Sequence, residues 1–133
     1  MTPSSYEVLF APGERVCYVR SAGPADFPSS ERAIRDLAGD PRLETRIGVV
    51  VDLRAGGYTP SLEDARRLGD LIPALETLRS RPMAMVVSQS VDYGVANMIS
   101  TLANLRGARV RAFMEIESAL AWLETTAFTN LDH

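Results

Sequence analysis

The chain predicts an α/β domain in the order β-β-α-β-α-β-α-β-α, with a mostly parallel sheet and an N-terminal antiparallel hairpin. Three observations lead there. Residues 47–53 form an apolar run broken only by Asp52, as expected of a strand covered on both faces. From that run onward, short apolar segments alternate with stretches of helical periodicity. Such alternation requires right-handed crossovers between parallel strands. Ahead of it, two strand-like segments are joined by a short link containing Pro12-Gly13, and a short link makes neighbouring strands antiparallel.

The elements follow in order. Residues 6–10 alternate, with Tyr6, Val8 and Phe10 on one side, and residues 16–19 complete the hairpin. Residues 21–30 are rich in Pro, Gly and Ser and read as loop. Ser29 or Ser30 caps a short helix carrying Ile34 and Leu37, which Gly39 and Pro41 stop. After the strand at 47–53, Gly56-Gly57 reads as a turn with positive φ. The next helix has two capping schemes: Thr59 with Pro60 in the first turn, or Ser61 with Asp64 closing a capping box. Its inner stripe is Leu62, Ala65, Leu68, Ile72 and Leu75, and Pro73 predicts a kink or break. Residues 83–87 are a buried strand. Ser90 caps a helix with Val91, Val95, Met98, Ile99, Leu102 and Leu105 on its inner side, ended by Gly107. Residues 110–113 are the last strand. Ile116, Ala119, Leu120 and Leu123 mark a final helix.

With 133 residues the chain is expected to be a single domain over 1–133, its core at about 5–124 and its tail at 125–133 loose. Hydrophobic residues make up 46% and the net charge is −3, without a basic tract, so nucleic acid is not an expected partner. No apolar run is long enough for a membrane span, and a cytoplasmic location is expected. All 14 basic residues are arginine, which excludes lysine Schiff-base chemistry and a phosphate-loop lysine. The one histidine, His133, is the last residue, so a histidine-based triad has no credible base. Cys17 stands alone and reads as a small buried hydrophobe. No cofactor and no metal is expected. Met83, Met85, Met98 and Met114 are assigned to core faces. Trp122 lies off its helix stripe, covering a sheet edge, packing in a dimer contact or buried in the monomer. Arg66, Arg67, Arg79 and Arg81 lie near Glu63, Asp64 and Asp70 and read as a solvated, salt-bridged face.

Three strings carry a resemblance: V-V-V-D-L at 49–53, D-Y-G-V-A-N-M at 92–98, and F-M-E-I-E-S-A-L-A-W-L at 113–123. In this order and spacing they resemble the STAS-like superfamily, in the branch of small proteins similar to the sporulation anti-sigma factor antagonist. The resemblance implies a small α/β domain, usually without enzymatic activity, that binds a protein or a small apolar ligand. Antagonists of that superfamily switch by phosphorylation of a serine opening the helix after the central strand, and Ser61 occupies the comparable place. Their string is Asp-Ser-Ser-Gly-like, whereas this chain has Thr59-Pro60-Ser61-Leu62.

The candidate site is a rim at the carboxyl ends of the strands: Asp52, Arg54, Tyr58, Ser88, Tyr93 and Asn97. Asp52 either accepts backbone N–H bonds from the turn that follows it or contacts a ligand. A response-regulator receiver is excluded by the missing lysine and the missing acidic pair after the first strand. The expected function is therefore a non-enzymatic regulatory or interaction domain, a homodimer or the partner of another protein. The alternative is a binder of a small apolar ligand held between the sheet and the helices at 62–78 and 91–105. An enzyme using carboxylates, hydroxyls and arginine comes third, because Asp52 has no evident acid/base companion.

Overall fold

The computed structural model describes residues 5–55 and 58–131, and side chains as far as Thr126. Strand β1 (Tyr6–Leu9) turns back into β2 (Val16–Ser21), and Gly13 in the turn takes a φ of 80° that other residues rarely adopt. Helix α1 (Phe27–Ala38) and a 3-10 turn (Pro41–Thr45) lead to β3 (Gly48–Asp52). Helices α2 (Leu62–Ala74) and α3 (Glu76–Arg79) lead to β4 (Met83–Val86). Then come α4 (Ser90–Leu105), β5 (Val110–Phe113) and α5 (Ile116–Leu131).

The five strands lie side by side in chain order, β1-β2-β3-β4-β5. β1 is antiparallel to β2, and the other three pairings are parallel. Val49 pairs with Met83 and Met83 with Val110, so the three central apolar runs are co-directional neighbours, as the sequence predicts. Successive right-handed crossovers in one direction along a sheet leave their helices on the same face. Accordingly α1, α2 and α4 cover the face that carries Cys17, Val19, Val49, Met83, Met85, Val87, Val110 and Ala112. α5 covers the other face over Val50, Ala84, Val86 and Phe113, with Ala119 and Leu123 fully buried.

Several local expectations are corrected. Helix α1 begins at Phe27, capped by Asp26 in place of Ser29 or Ser30: the Asp26 side chain accepts from the Ser29 N–H while the Ser29 hydroxyl accepts from the Asp26 N–H. This reciprocal box uses two otherwise orphan donors, and Pro28 falls in the first turn, where no N–H is needed. Of the two schemes for α2, Ser61 is the cap. Asp64 does not complete a box; its carboxylate is taken by Tyr58. Pro73 sits one residue before the helix end, and extended Leu75 separates α2 from α3. Ser90 is already helical, and the preceding Gln89 is the cap residue without a side-chain bond. Leu62, Val91 and Leu105 are exposed because they fall at the helix ends, and Met114 is exposed in the turn after β5. α5 runs past Leu123 to Leu131, so the tail expected to be loose from 125 is helical through Leu131. Gly56-Gly57 and His133 lie outside the described residues.

Trp122 is half-buried, its ring tilted against Phe113 at 5.7 Å between centroids. Cys17 is fully buried, and burial pushes its thiol up to about 11. The salt-bridged face is present in part: Arg67 meets Glu63 at 3.2 Å, and Asp70 is bridged by Arg106. Arg81 donates instead to the Arg46 and Thr77 carbonyls.

Gly69 sets the distance between α2 and α4. A Cβ built there would stand 2.8 Å from Leu102 Cβ and 3.3 Å from the Ile99 carbonyl oxygen. Neither atom can move without shifting its helix, so only glycine allows this approach. Gly69→Ala should therefore destabilise the fold by about 1–3 kcal/mol, overpacking outweighing the better helix propensity. Gly94 in α4 has nothing within 4 Å of a built Cβ, and Gly94→Ala should stabilise by roughly 0.5–1 kcal/mol. Urea unfolding of the two variants checks the pair; equal effects would remove Gly69 from its assigned role.

Candidate functional site

The rim expected from the sequence divides into three parts. The first is a turn at the end of β3. Arg54 folds back on Asp52 as a fork, Nε to Oδ1 and Nη2 to Oδ2, both at 2.9 Å, while the Arg54 N–H donates to Oδ1 at 3.1 Å. The Ser88 hydroxyl, past the end of β4, donates to the Arg54 carbonyl at 3.2 Å. The Arg54 guanidinium holds the Asp52 carboxyl below the usual aspartate value against the opposing effect of burial. Both carboxylate oxygens are thus occupied, and the group closes a turn, as one of the two readings of Asp52 requires.

The second part is Tyr58, which belongs to a cavity of about 100 Å³ on the three-helix face of the sheet. Its sheet side is formed by Val19, Val51, Leu53, Met83, Met85 and Val87. Two helices present matching stripes at the i, i+3, i+4, i+7 spacing: Ser30, Ala33, Ile34 and Leu37 on α1, and Asp92, Val95, Ala96 and Ile99 on α4. Leu68 and Ile72 of α2 complete the apolar wall. The polar groups are few. Tyr6 Oη and Ser30 Oγ share a hydrogen bond of 2.7 Å. The Tyr58 hydroxyl donates to Asp64 Oδ2 at 3.2 Å, and Thr59 Oγ1 donates to Asp92 Oδ1 at 2.7 Å. Burial, reinforced by the Asp64 charge, pushes the Tyr58 hydroxyl up to about 12. Burial also raises Tyr6, with the bond to Ser30 acting in the opposite direction. Both tyrosines therefore stay neutral across the physiological range and act as hydrogen-bonding groups.

The third part, Tyr93 and Asn97, does not join the others. Each is one residue beyond a cavity-facing position on α4, and both are exposed. One residue is about 100° around a helix, enough to turn them outward. Ser61 is exposed as well, its hydroxyl accepting from the Asp64 N–H at 3.1 Å as the cap of α2. Glu63 and Asp64 stand in the same first turn.

Sequence reasoning missed Tyr6, Ser30, Ile34 and Asp92, and with them the contribution of α1. The signal available was the polar Ser30 on the stripe that carries Ile34 and Leu37. Among the described residues no group of three His, Cys, Asp or Glu side chains is placed to hold a metal ion, and no helix is long and apolar enough to cross a membrane. No protein-family model matches the chain, and no curated protein or solved structure is significantly similar to it.

The fork fixes a pH dependence. A carboxyl depressed in the folded state contributes stability above the ordinary aspartate value, here 3.8, and loses it as the pH falls through the folded value. Asp52 should titrate below 3.8 by NMR, and Arg54→Ala should return it toward 3.8. The stability difference between the two proteins should vanish over that same descent. An Asp52 that titrates at 3.8 or above with Arg54 present contradicts the fork.

Proposed function

We propose that this chain is a non-enzymatic binding domain, STAS-like in type, that holds a small, mainly apolar molecule between the sheet and helices α1, α2 and α4. The observation that carries this reading is the cavity itself. Protein interiors are close-packed, yet here about 100 Å³ remains open among aliphatic and methionine side chains, with a Tyr6–Ser30 hydroxyl pair inside. An engineered cavity of about 150 Å³ with apolar walls takes benzene, so the volume suits one ring or a short branched chain whose end reaches the mouth. Met83 and Met85 line the sheet side with adaptable surface. Two groups that could do covalent chemistry are otherwise engaged: Asp52 by Arg54, and Cys17 by burial. These placements favour binding over catalysis.

2-Phenylethanol is a suitable probe. Titrated into the protein, it should shift the methyl NMR signals of Ile34, Met85 and Ile99. Ala33→Phe fills the cavity and should weaken binding at least about tenfold while the protein stays folded. Shifts elsewhere, or unchanged affinity in the variant, would contradict the reading.

A second reading, the regulatory and protein-interaction role implied by the resemblance, draws on the other face of the sheet. α5 packs over β3, β4 and β5. On the side of β1 and β2, Leu9 pairs with Tyr18, Leu9 is exposed, and Tyr18 is half-buried against the α5 cluster. In this reading the chain is a cytoplasmic homodimer, or the partner of another protein, joined through that strip. Sedimentation at micromolar concentration should then show a dimer that Leu9→Arg turns into a folded monomer; a monomeric wild-type protein would end the homodimer form of this reading.

A further inference from the structure

Among the described residues that line the cavity, Asp92 is the one with a charged side chain. Asp92, in the first turn of α4, is part of the cavity wall. Its Oδ1 accepts the Thr59 hydroxyl, and neither of its oxygens has an arginine within salt-bridge distance among the described residues. The two other carboxylates near the mouth differ in this respect. Asp64 holds Tyr58 and lies 4.0 Å from Arg67, and Asp26 is committed to the cap of α1 with Arg32 nearby. No arginine lines the cavity, the chain has no lysine, and its histidine lies outside the described residues. A charged end of a ligand at the cavity wall therefore meets Asp92, which no arginine of that wall compensates. The charge of a carboxylate on a ligand would be repelled there and left without a donor of matching charge, which costs more in a partly desolvated site than in water. An ammonium would be attracted, and a hydroxyl would find acceptors at Asp92 and at the Tyr6–Ser30 pair.

We infer that the cavity selects by charge: it takes a compact apolar ligand ending in a hydroxyl or an ammonium group and rejects the corresponding carboxylate. This rests on the binding function proposed above and assigns Asp92 as its specificity-determining residue.

Three probes that share the phenylethyl skeleton test it at pH 7: 2-phenylethylamine, 2-phenylethanol and 3-phenylpropionate, each titrated by NMR into the full chain. The amine and the alcohol should bind with shifts at Ile34, Met85 and Ile99, and the carboxylate should bind at least about tenfold more weakly than the alcohol. Asp92→Asn should weaken the amine, strengthen the carboxylate and leave the alcohol within about twofold. A carboxylate that binds as well as the alcohol overturns the charge selection while the binding function stands. Failure of all three to reach the cavity overturns both. Affinities that Asp92→Asn does not redistribute overturn the role of Asp92.

Discussion

The close approach of α2 to α4 at Gly69 is the contact on which the remaining architecture depends. Right-handed crossovers along the row β2-β3-β4-β5 place α1, α2 and α4 on one face of the sheet. They do not fix how three helices divide that face. The missing side chain at position 69 does so, because it lets the Leu102 turn of α4 come against the α2 backbone. α1 meets this pair sparingly; one tie is Arg67 of α2 over the Phe27 ring, and the Thr77 hydroxyl of α3 also donates to the Ala38 carbonyl at the end of α1. Small residues, Ala33 on α1 and Ala96 on α4, then line the space above the sheet. The cavity follows from helix spacing and residue size together.

A domain of this size has little stability to spare, so an open volume in its core is a cost that packing elsewhere must offset. The opposite face supplies some of that packing. Gly48 lets Leu123 and Pro82 close on the start of β3, where Leu123 is fully buried, and on the three-helix face Leu43 and Leu78, outside the cavity lining, are essentially inaccessible to solvent. Polar ties sit at the ends of elements. Asn104 pairs with both the N–H and the carbonyl of Val110, which fixes where β5 begins. Asp52 and Arg54 do the same at the end of β3. Charge that could serve chemistry is spent on geometry at these places, and among the described residues Asp92 is the carboxylate that lines the cavity without an arginine.

Much of the fold was legible in the sequence. The strands are legible because continuous apolar runs such as 47–53 have few alternatives, and the hairpin because the Pro12-Gly13 link is too short to permit a crossover. Helix faces were legible in their middles and failed at their ends. Leu62, Val91 and Leu105 satisfy the periodicity, yet periodicity carries no information on where the sheet beneath stops. The cap of α1 was misplaced because Asp26, Ser29 and Ser30 are all competent, and the choice depends on the pairing of two of them. Gly69 was opaque, since a glycine within a helix does not name its neighbour. In the site, Asp52, Arg54 and Ser88 were found together because strand ends gather them. Tyr93 and Asn97 were misassigned by one residue of helical rotation, and Tyr6 and Ser30 were missed because their meeting joins a hairpin to a distant helix.

The central claim, that helix spacing leaves room for an apolar guest above the sheet, is tested most directly by crystallography under xenon pressure. Xenon reports accessible apolar volume without any polar recognition. A single strong anomalous peak among Ile34, Met85 and Ile99 is the result this account requires. Xenon absent from that position, or found only on the α5 face, would contradict it.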